Sequence, residues 1–432
     1  TSLAAELDSR FSDKVTNVAR VTWSHQNEPR SFVGSLFPTV DIMRTITEQD
    51  VKTGGVSAEL VGTKALLASF GPDPFTYGNL RDVQTVTATD EVSIDLGKHN
   101  VVAGAQYEWN NTKNGYMQGG AGYYVYNSWE DFVGDKAPAA FAITHANRDD
   151  LQQVYPSFDY HQVSLYAQDE WNISDYFKLT YGIRFELPIL PTIASNENKE
   201  YLTVTANSKT MAGTSTADMP KTVVNFSPRI GFNWDILKNR KLVLRGGSGL
   251  YTGRIPFVWI VSAVGNSNCL QAQYISANGT KPNGDAMKFK DNIDGILSEL
   301  YGGTFKAGEL PAPSQTTIMD KNLRMPMTWK SSLALDATLP GGIKASIEGI
   351  FNYNVTDVAV RKLGQVQGDD IQLPGEPSTR ISWQSENVKN SQGQGVTPYY
   401  LTNAGKRGRY YSATASLKKD FNFGLSMMAA YT

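Results

Sequence analysis

The stretch Arg229-Ile230-Gly231-Phe232-Asn233-Trp234-Asp235-Ile236 alternates polar and apolar side chains along its whole length. Successive side chains of a β-strand point to opposite faces, so the four apolar residues share one face of such a strand. Residues 178–187 repeat the scheme, and residues 344–355 do so with Ile350 as an exception. This period of two predicts strands that have one apolar and one polar face.

Short polar turns join the predicted strands in pairs. Their residues (Gly, Asn, Asp, Ser and Pro) are those that tolerate a tight reversal of the chain. The pattern predicts about six hairpins and therefore about twelve strands. The turns are expected at 12–14, 97–100, 174–176, 238–240, 340–342 and 419–420.

The connections between hairpins are long and rich in Gly, Asn, Ser, Asp and Pro. They cover 31–80, 117–160, 190–224, 255–324 and 357–407, with a short helix expected at Asp291 to Leu300. Short turns at one end and long loops at the other are typical of an outer-membrane β-barrel. We therefore predict an all-β fold, a transmembrane antiparallel up-and-down barrel with short periplasmic turns and long extracellular loops.

Composition excludes several classes of function. The 432 residues carry a formal net charge of -2, which gives no electrostatic reason to expect a nucleic-acid partner. The longest apolar run, 255–264, is too short for a transmembrane helix. Cys269 is a lone cysteine and the four histidines are far apart in sequence, so we predict no metal, no cofactor and no catalytic site.

Aromatic residues cluster near the predicted strand ends, as in the girdles of membrane barrels. They include Trp23, Tyr107, Trp109, Trp171, Tyr176, Phe177 and Tyr353. The alternative is that the polar faces are the solvent faces of a soluble sandwich or propeller, although no repeat of fixed period is visible. The sequence begins and ends in strand-like segments and shows no secretory signal, so we expect an internal piece of a longer protein.

Four motifs resemble the barrel of TonB-dependent outer-membrane receptors. Tyr166-Ala167-Gln168-Asp169-Glu170-Trp171 and then Leu179-Thr180-Tyr181-Gly182-Ile183-Arg184-Phe185-Glu186 resemble one hairpin of that family. Ser227-Pro228-Arg229-Ile230-Gly231 and Arg245-Gly246-Gly247-Ser248-Gly249-Leu250-Tyr251 resemble the strands of the next. The continuation, 253–259, is most similar to an Oar-like subgroup.

The resemblance implies a barrel of about 22 strands with a plugged lumen. It implies TonB-dependent uptake of a bulky nutrient (a peptide, a glycan or a metal chelate) across the outer membrane of a Gram-negative bacterium. On this interpretation residues 1–432 are part of a single barrel domain, and the plug, the TonB-contacting segment and about ten strands are absent from the sequence. The expected partners are outer-membrane lipid, the protein's own plug, TonB and, as a further candidate, a surface lipoprotein.

Two other functions stay open. A passive porin-like channel would need an open lumen through which small solutes diffuse. A structural, secretion-associated or adhesive barrel would use its long loops without transporting anything. The family motifs favour the importer, and the long aromatic loops fit the importer and the adhesive barrel better than the channel.

One loop is rich in aromatic residues and glycines. Tyr123, Tyr124, Tyr126 and Trp129 offer flat apolar area with polar tips, which suits recognition of peptides or sugars. The alternative is that these rings pack loop against loop or form the upper girdle, and the sequence favours it.

Three further sets of residues follow from the alternation. The polar face carries Arg184, Glu186, Arg229 and Arg245, whose arginines would contact an acidic solute or, as we favour, carboxylates of the plug. The apolar face, predicted to contact lipid, carries Leu165, Ile183, Phe185, Ile230 and Phe232. The glycines of 246–249 lack the lysine and helix of a phosphate loop and are expected to give room to a neighbouring group.

Overall fold

The computed structural model describes residues 1–147, 155–193, 203–206, 209–212, 215–265, 270–303, 315–385, 388 and 397–432. Cys269 lies outside these ranges. Within them, no helix is long and apolar enough to cross a membrane.

Twelve antiparallel strands form one sheet, which we call the wall. Each strand pairs with its neighbours in chain order. The strands are β1 (Ser2–Arg10), β2 (Val15–Pro29), β3 (Leu80–Asp95), β4 (His99–Gly115), β5 (Ser157–Ser174), β6 (Phe177–Ile189), β7 (Asn225–Asp235), β8 (Leu242–Thr252), β9 (Met327–Leu339), β10 (Ile343–Thr356), β11 (Arg409–Asp420) and β12 (Ser426–Tyr431).

The number of strands, the six hairpins and the antiparallel order confirm the predicted fold class. The turns lie close to the predicted positions, although His99 already belongs to β4 and the last turn follows Asp420. At the turn between β7 and β8, Lys238 and Arg240 have positive φ angles of 57° and 60°. The Asp235 carboxylate accepts a hydrogen bond of 2.7 Å from the Arg240 backbone NH, which helps to hold this tight reversal.

Five long loops leave the opposite end of the wall, as predicted. We number them L1 (30–79), L2 (116–156), L3 (190–224), L4 (253–326) and L5 (357–408). Their described residues form four α-helices: α1 (Glu48–Thr53), α2 (Trp129–Val133), α3 (Phe257–Gly265) and α4 (Ile293–Tyr301). The helix expected at Asp291 to Leu300 is therefore confirmed as α4.

The loops also form small sheets of their own. A five-stranded sheet joins L1, L2 and L4 in the order Gln271–Ser276, Ala140–Ala146, Tyr123–Tyr126, Thr39–Thr45 and Lys64–Phe70. A three-stranded sheet joins L4 and L5 in the order Gln315–Met319, Thr397–Asn403 and Val358–Lys362. Two hairpins complete the set: Thr203–Ala206 with Lys209–Ala212, and Gln365–Gln372 with Thr379–Ser385.

Among the described residues, buried apolar side chains gather in two clusters, both formed largely by loops. The loop-sheet core lies between the five-stranded sheet and α4, and contains Val40, Ile42, Tyr124, Tyr126, Phe141, Ile143, Met287, Ile296, Leu297 and Leu300. The rim core lies where α3 meets the wall, and contains Phe158, Tyr160, Ile193, Ile255, Ile260, Val261, Ala263, Val264, Met319, Leu323, Met325 and Leu401. The described parts of the loops are thus folded and contribute most of the buried apolar residues.

Candidate functional site

The pairing of the strands divides the wall into two faces. Residues opposite each other in an antiparallel pair lie on the same face. Ile183 is paired with Ala167 and Phe185 with Leu165, so these apolar residues share a face. The same register places Arg184 opposite Tyr166 on the other face.

All five residues that we predicted to contact lipid lie on the apolar face. Leu165, Phe185 and Ile230 are 55%, 41% and 52% exposed, and Ile183 and Phe232 are half-buried among their neighbours. The apolar face continues across the wall through Leu333, Ile347 and Leu417, all more than half exposed. An exposed apolar surface of this extent indicates contact with a membrane or a partner.

The polar face, which we call the inner face, carries a hydrogen-bond network around Arg184. Its guanidinium contacts Glu186 at 2.9 Å and donates a 2.6 Å hydrogen bond to Gln106. It also lies over the ring of Tyr166, whose hydroxyl donates a 2.8 Å hydrogen bond to Glu91. The ring of Tyr166 has room because residue 104 is glycine: a Cβ there would lie 2.5 Å from the ring.

A second network surrounds Arg245. Its guanidinium lies 2.7 Å from the carboxylate of Asp336 and 3.6 Å from that of Glu348. Ser346 donates a further 2.6 Å hydrogen bond to Asp336. Arg184 and Arg245 are therefore already paired with carboxylates of the wall itself, partners that alternation alone did not identify.

Arg229 has a different environment. Its guanidinium lies 4.5 Å from the ring centre of Tyr251, and the space for its side chain comes from Gly249, where a Cβ would lie 3.0 Å from the Arg229 Cγ. The expected role of the glycine stretch, to give room to a neighbour, is therefore seen at Gly249. Within the described residues Arg229 forms no ion pair, so its charge is available to another group.

Arg254, which sequence reasoning did not single out, connects L4 to the inner face. Its guanidinium lies 2.7 Å from the carboxylate of Glu108 on β4 and 4.8 Å from the ring centre of Tyr160 on β5. The ring of Phe257, at the start of α3, contacts the same guanidinium at 5.3 Å. Hydrogen bonding to Glu108 and attraction to its charge outweigh burial and raise the pKa of Arg254.

The contacts of Arg254 hold α3 against the wall. Ile260, Val261 and Val264 of this helix are buried in the rim core, and the ring of Phe257 packs on Phe158 and Tyr160 of β5. Tyr160 lies on the face of Ser164 and Tyr166, because side chains two apart in a strand point the same way. L4 therefore folds onto the inner face at its loop end.

A cavity of about 160 Å³ lies beside Arg254. Its lining comes from β5 to β8 and from L4: Tyr160, Gln162, Glu186, Pro188, Asn225, Thr252, Gly253, Arg254 and Met325. Asn225 is only 6% exposed and lies directly opposite Glu186 in the register of β6 and β7. We call this cavity the rim pocket.

The aromatic loop residues are divided by the structure. Tyr124 and Tyr126 are completely buried in the loop-sheet core and pack on Phe141, Phe132 and Phe289. Burial raises the pKa of Tyr126 to about 12. These two rings cannot contact a ligand in this structure. They pack between loops, as the alternative interpretation of the sequence has it.

Tyr123 and Trp129 remain accessible. The hydroxyl of Tyr123 donates a 2.6 Å hydrogen bond to Asp41, and desolvation together with that carboxylate raises its pKa to about 12. Trp129, the first residue of α2, is 48% exposed. A ligand role for these two stays a prediction.

The segment Asp291 to Gly295 is the start of α4. Asn292 is its N-cap, and its side-chain oxygen accepts a 2.7 Å hydrogen bond from the Gly295 backbone NH. Across the described part of the chain, no three His, Cys, Asp or Glu residues are close enough together to hold a metal ion.

A polar cluster on the apolar face was also missed from the sequence. Near the turn ends of the strands, Asp169 accepts a hydrogen bond of 2.8 Å from Tyr181 and lies 2.7 Å from the His99 ring. The His99 ring stacks on Trp171 with 5.3 Å between centroids. The residues come from three strands, so no pattern within one strand could reveal the cluster.

Comparisons with known proteins agree with this architecture. A family model described as an outer membrane beta barrel domain matches residues 1–432. The chain belongs to this family of outer-membrane β-barrel domains. The predicted localisation is thereby confirmed, and the family is one of non-enzymatic barrels, as the sequence predicted.

Solved structures show the fold of the domain more closely. It is similar to the outer membrane transporter YddB from Escherichia coli, with a TM-score of 0.50, 12% identity, and coverage of 96% of this chain and 38% of that one. The ferric enterobactin receptor PfeA from Pseudomonas aeruginosa matches with a TM-score of 0.45, 9% identity and coverage of 99% and 42%. The siderophore receptor PirA from Acinetobacter baumannii matches with a TM-score of 0.36, 10% identity and coverage of 98% and 50%.

The β-barrel domain thus spans half or less of the length of these three proteins. At such identities the likeness concerns the fold alone, which is that of an outer-membrane β-barrel. A search of curated proteins found no match.

Proposed function

We propose that this domain is the wall of an energy-coupled importer that takes up a bulky nutrient (a peptide, a glycan or a metal chelate) through the outer membrane. The observation that carries the proposal is the position of α3. The helix packs on the inner face and is held there by Arg254 and Glu108. A passive channel for small solutes would need an open inner face.

The proposal includes parts that lie beyond residues 1–432. β1 and β12 are the two edges of the wall, and among the described residues neither pairs with a further strand on its outer side. Unpaired edges are tolerated poorly in a membrane, where every backbone group needs a partner. We propose that about ten more strands close a barrel of about 22, the size of plugged outer-membrane transporters.

A plug inside that barrel would contact the inner face. Arg229 is the best candidate for such a contact, because it is exposed and lacks an ion-pair partner among the described residues. Arg184, Glu186 and Arg245 would contact the plug or the solute with the polar atoms that their own hydrogen-bond networks leave free. Movement of the plug by TonB, membership of an Oar-like subgroup and a lipoprotein on the loops belong to the same proposal.

Uptake measurements in the native bacterium test this function. A strain that lacks the protein and a complemented strain are given labelled peptides, glycans and metal chelates, with and without a protonophore that removes the inner-membrane proton gradient. Energy-coupled import predicts one class of solute whose uptake needs both the protein and the gradient. Uptake that needs the protein but continues with the protonophore would instead establish a passive channel.

A further inference from the structure

The rim pocket is lined by an amide that has no hydrogen-bond partner among the described residues. Asn225 is only 6% exposed. Within the described residues its side chain forms no hydrogen bond. The pocket therefore leaves this amide open to water or to a ligand, either of which can supply its hydrogen bonds. The amide has one acceptor and two donors to offer.

Glu186 supplies a second polar group directly opposite. Its Oε1 accepts hydrogen bonds from Arg184 at 2.9 Å and from Gln162 at 3.4 Å, which fix the orientation of the carboxylate. Its Oε2 accepts none from the described residues. The pocket therefore presents an oriented carboxylate oxygen beside a donor-and-acceptor amide.

The charges around the pocket select the ligand class. Arg184 and Arg254 contribute two positive charges, and Glu186 and Glu108 contribute two negative ones, so the four groups sum to zero. An ammonium ion would be repelled by the two guanidinium groups, and an anion would be repelled by the free oxygen of Glu186. A neutral group that both donates and accepts hydrogen bonds avoids both penalties.

Adjacent hydroxyl groups meet this requirement. One hydroxyl would donate to Glu186 Oε2, and its neighbour would donate to and accept from the Asn225 amide. Pro188 and Met325, which also line the pocket, offer apolar contact to the C–H groups of a ring. The volume of about 160 Å³ suits one small unit and not a chain.

We propose that the rim pocket binds one neutral sugar unit of a glycan at the loop end of the inner face. The inference rests on the proposed function and narrows its bulky nutrient to a neutral, hydroxyl-rich one. It assigns Glu186 and Asn225 as the specificity-determining residues.

Binding of defined oligosaccharides to the full-length, detergent-purified protein tests the proposal. Neutral oligosaccharides, cationic amino-sugar oligomers and anionic uronic-acid oligomers are compared on a glycan array and then by calorimetry. We expect binding of a neutral member and none of the charged ones. Binding of no sugar, or of charged sugars alone, would overturn the proposal.

Variants then localise the site. Asn225→Leu fills the pocket with an apolar side chain of similar length and should weaken binding by about tenfold or more, since the amide contacts are lost. Asn233→Leu, on the same strand and face but outside the pocket, is the matched control and should bind as the native protein does. Equal affinities of the two variants would contradict the assignment.

A second variant keeps the test decisive if Asn225→Leu does not fold. Asn225→Asp preserves the size of the side chain and adds a negative charge beside Glu186, so it should weaken the neutral sugar and favour the amino-sugar oligomers. If Asn225→Asp keeps the native preference for neutral sugars over amino-sugar oligomers, the assignment of Asn225 to the site is contradicted. If energy-coupled uptake is observed but no sugar binds, only the rim-pocket proposal fails. If a sugar binds but the protein forms an open conducting channel in planar bilayers, only the importer proposal fails.

Discussion

The guanidinium of Arg254 lies 2.7 Å from the carboxylate of Glu108, a residue 146 positions earlier in the chain. The pair joins the start of L4 to a strand on the inner face that is not a neighbour of β8. The side chains of Arg254 and Glu108 are 35% and 16% exposed, so removal of one partner would leave a partly buried charge unpaired.

Removal of this carboxylate should release α3. In Glu108→Ala we expect faster backbone hydrogen exchange across Phe257–Gly265, with a loss of about 1–3 kcal/mol of local stability. Glu28→Ala is the matched control, because Glu28 forms a comparable 2.9 Å pair with Arg81 at an exposed position. Equal exchange of the helix in both variants would show that Arg254 and Glu108 do not hold it.

The assignment of the two faces predicts unequal tolerance of arginine. Ile183→Arg places a charge on the apolar face and should cost about 2–4 kcal/mol if the site is near the membrane midplane, whereas Asn233→Arg on the inner face should cost much less. Denaturant unfolding in lipid vesicles measures both. If the two variants are equally stable, the apolar face does not contact lipid.

The close approach of Tyr166 to Gly104 predicts a steric effect. In Gly104→Val the new Cβ would lie 2.5 Å from the Tyr166 ring and 2.9 Å from the Asp90 carbonyl oxygen, so the ring and the network of Arg184 must shift. We expect the substitution to lower the free energy of unfolding by about 1–3 kcal/mol. The folded fraction measured by heat-modifiable gel migration should be smaller. Gly349→Val is the control, since a Cβ there meets nothing within 4 Å, and equal folding of both variants would contradict the packing.

Acid should loosen the loop-sheet core. His145 is buried, its ring bonds the Tyr301 hydroxyl at 2.8 Å, and desolvation lowers its pKa below the ordinary 6.5. A lowered folded-state pKa means that this stability is fully present above 6.5 and is lost as the pH falls towards the folded-state value. The protection factors of Tyr123–Tyr126 against hydrogen exchange, corrected for the intrinsic rate at each pH, should therefore fall below about pH 6.5.

The variant His145→Gln should remove most of that pH dependence. The control is His25→Gln, because the His25 ring pairs with Asp82 on the wall. This variant should retain the pH dependence of the loop-sheet core. The same acid response in His145→Gln and in the native protein would assign the loosening to other groups.

The wall was predictable because each strand carries its own evidence. The alternation at Arg229 to Ile236 and the turn residues at Lys238 to Arg240 are local signals, and the structure has a strand and a turn at those places. A shift of the pairing by one residue would turn Ile230 and Phe232 to the polar face, so the alternation also constrains the register that the structure shows.

The loops and the inner-face contacts were not predictable in the same way. Nothing local to Arg254 indicates that its partner is Glu108, and nothing local to Tyr124 or Tyr126 indicates burial under α4. Tyr123, three residues after Gly120, stays accessible while its neighbour Tyr124 does not, because alternate residues of a strand face opposite sides. Such contacts depend on which loops meet, and that is a property of the whole chain.

The most direct test of the central claim, that this wall belongs to a plugged transporter, is the intact mass of the native protein, extracted from outer membranes and measured by mass spectrometry in detergent. The present chain accounts for 47.5 kDa. We predict a mass roughly double that value, because a barrel of about 22 strands with a plug requires it. A mass close to 47.5 kDa would leave no room for a plug and would contradict the importer.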